Sequence, residues 1–371
     1  MRRVVYFTDS DGFGGAERVL LTLLAQLDTT RWEPVLAHTG SSAIQPLIDG
    51  ANALEIPHWP VEPLPEGVAG AGRVPDLARA LRGRGVDVFH AQLTWPLACK
   101  YPLAAALLGR VPAVLATVHS YPSFTMTRAT ELQQRALGSR VGRYIAVSDD
   151  LRSRLLARMP WPPERLSVVH NGIDVAAPAP AADPQLRAAI SGGSELPVVL
   201  AASRLDRGKG LDVLIDTAAK VAGACFAIAG EGPQRRALSR RIAELGLEGR
   251  VRLLGWREDL RELLAASDVF VQPSRNEGLS IAVLEAMAVG CPVVATDAGG
   301  TRESIEDGVT GVLVPPGDAG ALAAALTAAL EDPARRAAFG AAGAARVRAS
   351  FSAAAMTAGT TAIYDELLTG A

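Results

Sequence analysis

Short, unbroken apolar runs separated by longer stretches of helical spacing recur along this chain, and they do so in two series. The first series is RRVVYF, PVLAH (34–38), VDVFHA (86–91), PAVLATVH (112–119), RYIAVS (143–148) and LSVVHNG (166–172). Helical spacing fills AERVLLTLLAQL and the segments near 74–84, 96–109, 127–139 and 149–158. A strand that is apolar at every position is buried on both faces, which requires a parallel sheet covered by helices on each side. The rhythm lapses between 174 and 197, where DVAAPAPAADP and SGGSELP read as a linker. It then restarts with PVVLAAS, ACFAIAG, RVRLLG, DVFVQPS, CPVVATD and TGVLVPP, before an Ala-rich helical region from 319. The pattern predicts an α/β chain of two doubly wound, Rossmann-like domains, 1–175 and 190–350. Such sheets take ligands at the carboxyl ends of their strands, and the expectation is a cleft between the two domains.

Composition narrows the partners. Among 371 residues, 37 basic side chains face 39 acidic ones, a net charge of −2, so nothing draws the chain to nucleic acid. Cys99, Cys225 and Cys291 have no metal-ligand spacing and read as buried, reduced thiols. No run of 18 apolar residues occurs, and MRRVVYFTDSDG lacks a signal-peptide apolar core. A cytoplasmic, non-spanning protein is expected. Between 128 and 165, eight arginines outnumber four carboxylates. That stretch reads either as a solvated helix face or as a seat for an anionic membrane, which would place the protein peripherally on the inner membrane face. Residues 56–75 are broken by Pro and Gly and are expected to form an irregular loop, either a plain connection or a functional one.

Four motifs carry chemistry. Gly12, Gly14 and Gly15 link the first strand to a helix, but Glu17 stands where a dinucleotide fingerprint needs glycine. Either a tight turn or a phosphate approach to a helix N-terminus remains. Asp9-Ser10-Asp11 matches a metal-holding DxD in three residues only, and no metal is assigned to it. After the first strand of the second series comes Ser203-Arg204-Leu205-Asp206-Arg207-Gly208-Lys209-Gly210. Lys209 is one of only three lysines, and an arginine fork with a lysine point charge suits a diphosphate. The fourth stretch, 273–287, places Glu277 just before a helix beginning near Leu279 or Ser280, with Glu285 inside it. If 277–285 were all helical, the two carboxylates would stand about 12 Å apart along the axis, too far for a retaining glycosidase pair at about 5 Å. A long ligand with hydroxyls on both sides of a diphosphate fits better. His119 and His170 each end a strand and are either structural or directed to the cleft.

In order along nearly the whole chain stand GGAE (14–17), TVHSY (117–121), AVSDDL (146–151), VVHNGID (168–174), SRLDRGKG (203–210), AGEGP (229–233), LLGWREDL (253–260) and SRNEGLSIAVLEAMAVGCPVVATDAGG (274–300). Together they resemble the GT-B glycosyltransferases, specifically the fourth, retaining family with its E-x7-E element. The resemblance implies transfer of a sugar from a nucleotide-diphosphate donor, with UDP expected, to a hydroxyl acceptor of unknown identity, with retention and without a bound metal or other cofactor. It implies that Arg204 and Lys209 hold the donor diphosphate, Glu285 the ribose and Glu277 the transferred sugar. It further implies that the amides of Gly278, Leu279 and Ser280 line sugar and phosphates, with Gly15 approaching from the other domain. His119 would stand beside the reacting sugar, and Glu231, Gly255 and Trp256 near the base. A last helix, about 352–371, would return to the first domain. Leu279-Ser280 replaces the family's frequent Phe-Gly, a change expected to alter sugar selection, and Thr301-Arg302 replaces Pro-Glu. The competing readings are a GT-B epimerase, a sugar phosphorylase and a non-catalytic sugar-nucleotide binder.

Overall fold

The computed structural model describes residues 1–370 apart from Glu66 and Ser123. The chain divides into two compact units, Met1–Gly172 with the C-terminal helix, and Ile173–Ser352. The first unit carries β1 (Arg2–Thr8), β2 (Trp32–Thr39), β3 (His58–Val61), β4 (Val88–Leu93), β5 (Ala113–Val118), β6 (Arg143–Ala146) and β7 (Leu166–Val168). All are parallel, in the order β3-β2-β1-β4-β5-β6-β7. The second unit carries β8 (Val198–Ala202), β9 (Cys225–Ala229), β10 (Val251–Gly255), β11 (Val269–Gln272), β12 (Val293–Thr296) and β13 (Val312–Val314). These too are parallel, in the order β10-β9-β8-β11-β12-β13. Every residue of β4, β5, β9, β11 and β12 is buried, as two-sided helix cover demands. Each unit is thus the expected doubly wound α/β sheet.

The strand order of each sheet reverses once, between β1 and β4 and between β8 and β11. Loops leaving neighbouring strands diverge there and open a crevice at the carboxyl edge. The loops after β1, β8 and β11 are the ones that carry the motifs.

Two expectations need correction. Residues 56–75 are largely regular: β3 pairs with β2, and the helix Val68–Gly83 follows, with Pro75 inside it. Pro60 is tolerated because β3 is an edge strand, where a missing N–H leaves no ladder bond unmade. Glu66, within that stretch, lies outside the described residues. The linker also contains a helix, Pro184–Ser191. Asp183 caps it by accepting from the Gln185 amide (2.8 Å), Pro184 opens it, and Gly192 ends it at φ 72°.

The helix Ala353–Thr369 belongs to the first unit. Tyr364 is fully buried, its hydroxyl 2.6 Å from His90 Nδ1 and 3.1 Å from the Tyr6 hydroxyl, and its ring edge meets Trp32. Asp365 pairs with Arg31 at 2.8 Å and Glu366 with Arg143. The helix is therefore anchored by a buried polar network and a rim of ion pairs.

Candidate active site

Three loops of the second unit meet at the carboxyl edge, around the β8/β11 switch point. The loop after β8 is pinned by Leu205, which is fully buried. Asp206 accepts from the Gly208 amide (2.8 Å) and shapes a short 3-10 turn, Arg207–Lys209. Gly210 then adopts φ 63° with its Cα against the Pro273 carbonyl; a Cβ there would lie 2.0 Å from that oxygen. No other residue type fits. The Arg275 amide donates to the Gly208 carbonyl (2.7 Å), and its guanidinium grips Asp212 through two bonds of 2.7 Å. The third loop, after β12, approaches as closely: Gly299, at φ 59°, would place a Cβ 1.9 Å from the Glu277 carbonyl.

This stitching delivers Lys209 to Glu277. Lys209 Nζ lies 2.8 Å from Glu277 Oε1 and 3.0 Å from Oε2. Oε1 also accepts from Gln272 Nε2 and Ser274 Oγ, both at 2.6 Å, and Thr296 Oγ1 donates to the Ser274 carbonyl. Burial works against the Lys209 ammonium, but the Glu277 carboxylate, with Asp206 beyond it, more than offsets this and raises its pKa. Arg204 is exposed, and its guanidinium has no hydrogen bond or ion pair among the described residues. The edge therefore holds one neutralised pair, while the exposed guanidiniums of Arg204 and Arg207 in the same loop make no ion pair among the described residues.

The helix Ile281–Ala288 begins just after Glu277, capped by Ser280, whose Oγ accepts from the Val283 amide (3.4 Å). Glu277 thus stands in the loop, outside the helix, and Glu285 is half-buried one turn inside it. Gly278 and Leu279 are buried, and the partial positive charge of the helix N-terminus adds to the site. One strand further, at the ends of β9 and β10, Glu231 pairs with Arg235 at 2.8 Å. A Cβ on Gly255 would lie 3.2 Å from the same carboxylate, so these two residues are neighbours. Trp256 next to them is 42% exposed.

The remaining candidates lie in the first unit. Gly15 opens the helix Gly15–Ala25, and Glu17 accepts from the Gly14 amide (2.8 Å), a capping role that accounts for glutamate at that position. Asp9 of the DxD match accepts from the Cys99 amide (3.0 Å), fixing the start of the helix Lys100–Leu108. His119 follows β5; its Nε2 is 2.9 Å from Gln92 Oε1, and burial pushes its pKa down to about 4. His170 sits 3.9 Å from Asp149. Among the eight arginines of 128–165, Arg135 pairs with Glu131, Arg154 with Asp150 and Arg143 with Glu366, while Arg152 and Arg165 bond backbone carbonyls. Much of that charge is used within the fold. All three cysteines are buried and unpaired by disulfides, and burial pushes Cys291 up to about 12.

Gln272, Ser274, Thr296 and Gln92 escaped the sequence reading. Their signal was present: Gln272 and Thr296 end otherwise apolar strands, Ser274 follows one, and Gln92 is the last residue but one of β4.

Two parallel Rossmann-like sheets, with a basic, helix-capped edge on the second, define the GT-B class of glycosyltransferases. The family models described as Glycosyltransferase Family 4 and Glycosyl transferases group 1 match residues 13–177 and 196–332, and the chain belongs to this family of glycosyltransferases. An alpha-maltose-1-phosphate synthase of Mycolicibacterium smegmatis is 34% identical over 321 residues, 79% of this chain and 82% of that protein. A GDP-mannose-dependent alpha-(1-6)-phosphatidylinositol monomannoside mannosyltransferase from the same organism is 34% identical over 265 residues, 67% of this chain and 68% of that protein. Other curated relatives are matched over 34% to 52% of their own length. Among solved structures, Anabaena HepE in complex with UDP-glucose superposes with a TM-score of 0.82 at 23% identity, over 100% of both chains. No helix among the described residues is long and apolar enough to cross a membrane.

Proposed function

We propose that this glycosyltransferase moves a hexosyl group from a UDP-sugar to a hydroxyl acceptor, with retention and without a resident metal. The observation that carries the reading is the Lys209–Glu277 pair beside the uncommitted Arg204 at the β8/β11 edge. A departing diphosphate gains charge in the transition state, and fixed cations and amides aimed at it lower the barrier. Arg204, Lys209 and the N-terminus of the helix Ile281–Ala288 supply them, with the Gly15 amide as a further donor. Glu277, held by Gln272 and Ser274, accepts from a hydroxyl of the sugar; Gly278, Leu279 and Ser280 line it. Glu285 accepts from the ribose, and Glu231, Gly255 and Trp256 flank the base. His119 contacts the sugar as well. In this reading the donor phosphate itself takes the acceptor's proton. UDP is favoured over GDP by the UDP-glucose complex of HepE, although the mannosyltransferase relative uses GDP-mannose.

The test is nucleotide release from a panel of UDP-, GDP- and ADP-sugars with EDTA present. UDP release by the wild type, falling on the order of 10²–10³-fold in Lys209→Ala and Glu277→Gln, is the expected result. GDP release alone would replace the nucleotide, and loss of activity in EDTA would overturn metal independence. Sugar 1-phosphate formed from inorganic phosphate would make the protein a phosphorylase, and interconverted donor hexoses an epimerase. Binding without turnover would make it a non-catalytic binder.

A further inference from the structure

Two histidines stand close together in the first unit, His90 buried and His119 half-buried, and they differ in one respect. His90 uses both ring nitrogens: Nδ1 is 2.6 Å from the Tyr364 hydroxyl and Nε2 2.7 Å from Thr117 Oγ1. His119 uses one. Its Nε2 meets Gln92 Oε1, while Nδ1 is buried with no partner among the described residues. Gln92 is 4% exposed, and its own Nε2 is also buried and unpartnered. The two side chains come from adjacent strands: Leu93 of β4 pairs with Val118 of β5, and the His119 amide donates to the Leu93 carbonyl (2.9 Å). Both therefore sit at the carboxyl edge of the sheet, beside the β1/β4 switch point.

We infer that Gln92 is a positioning residue for His119, its carboxamide oxygen taking the Nε2 proton so that Nδ1 is presented as a bare acceptor to a hydroxyl of the bound sugar. A neutral imidazole carries one donor and one acceptor, and the bond at one nitrogen decides the role of the other. Buried polar atoms are nearly always paired, so unpaired atoms on two touching side chains at a ligand edge mark a place where a ligand completes the bonding. His90, fully satisfied, holds the C-terminal helix; His119, half satisfied, is left for the substrate. The identity of that substrate rests on the proposed sugar transfer, whereas the tautomer does not.

The test has two readouts. In 15N-labelled protein, ring correlations should show His119 as the Nε2–H tautomer. Gln92→Leu should mix the tautomers and lower kcat for donor turnover on the order of ten- to a hundredfold, with KM for the donor little changed. Gln92→Glu, which keeps an acceptor opposite Nε2, should keep that nitrogen protonated, and it serves if Gln92→Leu does not fold. An Nδ1–H tautomer in the wild type overturns the inference. So does a Gln92→Leu protein with an unchanged tautomer or an unchanged kcat. If no nucleotide sugar is turned over even by the wild type, the sugar-transfer reading fails while the tautomer measurement still decides the role of Gln92.

Discussion

Removing Lys209 separates what this ion pair does for stability from what it does for activity. In Lys209→Ala, Glu277 keeps its bonds from Gln272 and Ser274 on Oε1, but Oε2 loses its donor and the carboxylate loses its counter-charge. Breaking a wholly buried ion pair costs about 3–5 kcal/mol, which is an upper bound here because the lysine side chain is 26% exposed and water can partly replace it. A stranded buried acceptor costs about 1–3 kcal/mol, so about 2 kcal/mol is expected. For a unit the size of Ile173–Ser352 this lowers Tm by about 4–8 °C. Adding Glu277→Gln leaves no charge to strand, so the double variant should melt above Lys209→Ala alone. Turnover should behave oppositely, falling on the order of 10²–10³-fold in either single variant and not recovering in the double. Calorimetry and nucleotide release on the four proteins of the cycle supply the numbers. The reasoning is refuted if the double variant melts at the sum of the two single losses, or if Lys209→Ala turns over donor at the wild-type rate.

Acid should weaken the first unit. Burial lowers His119 to about 4 and His90 to about 3, so the folded state keeps both imidazoles neutral while the unfolded chain takes up protons below about 6.5. Stability is then full above pH 6.5 and is lost as the pH falls towards 4; His90→Gln should flatten that slope in urea titrations, and an unchanged slope would refute the assignment. Gly210→Ala forces a Cβ to within 2.0 Å of the Pro273 carbonyl at φ 63°, whereas Gly246→Ala, at φ 64°, meets open space. The first should lose well over the about 1–2 kcal/mol expected of the second from backbone conformation alone; equal urea midpoints would contradict the close approach. Tyr364→Phe removes the hydroxyl shared by His90 and Tyr6 and should cost about 1–3 kcal/mol, read as faster amide exchange along the helix Ala353–Thr369.

Periodicity made the two sheets legible because parallel strands are apolar at every position, and the chain repeats that signature in two series. Punctuation misled where proline does not end an element: Pro60 lies in an edge strand, Pro75 inside a helix that continues past it, and Pro184 at a helix start. The Lys209 and Glu277 stretches stood out because rare charge and clustered glycine are visible in one dimension. Their contact was not visible, since it depends on Gly210 and Gly299 closing two loops onto a third. Gln272, Ser274 and Gln92 were hidden for a different reason: a polar residue near the end of a strand acquires meaning only when folding brings its partner to it, the Glu277 carboxylate for Gln272 and Ser274 and His119 after the neighbouring strand for Gln92.

The C-terminal helix has a consequence for how the chain is made. The first unit is discontinuous in sequence, and the second is an unbroken insertion within it, from Ile173 to Ser352. The insertion's two ends lie together, with the Ile173 amide donating to the Phe351 carbonyl at 3.0 Å. On the ribosome, the second unit is complete before the helix that carries Tyr364 has emerged. His90 and Tyr6 then wait for their buried partner while about half the chain is synthesised. Vectorial folding is thus inverted: the unit begun first has all seven strands at hand, yet waits longest for the helix that covers Tyr6 and His90.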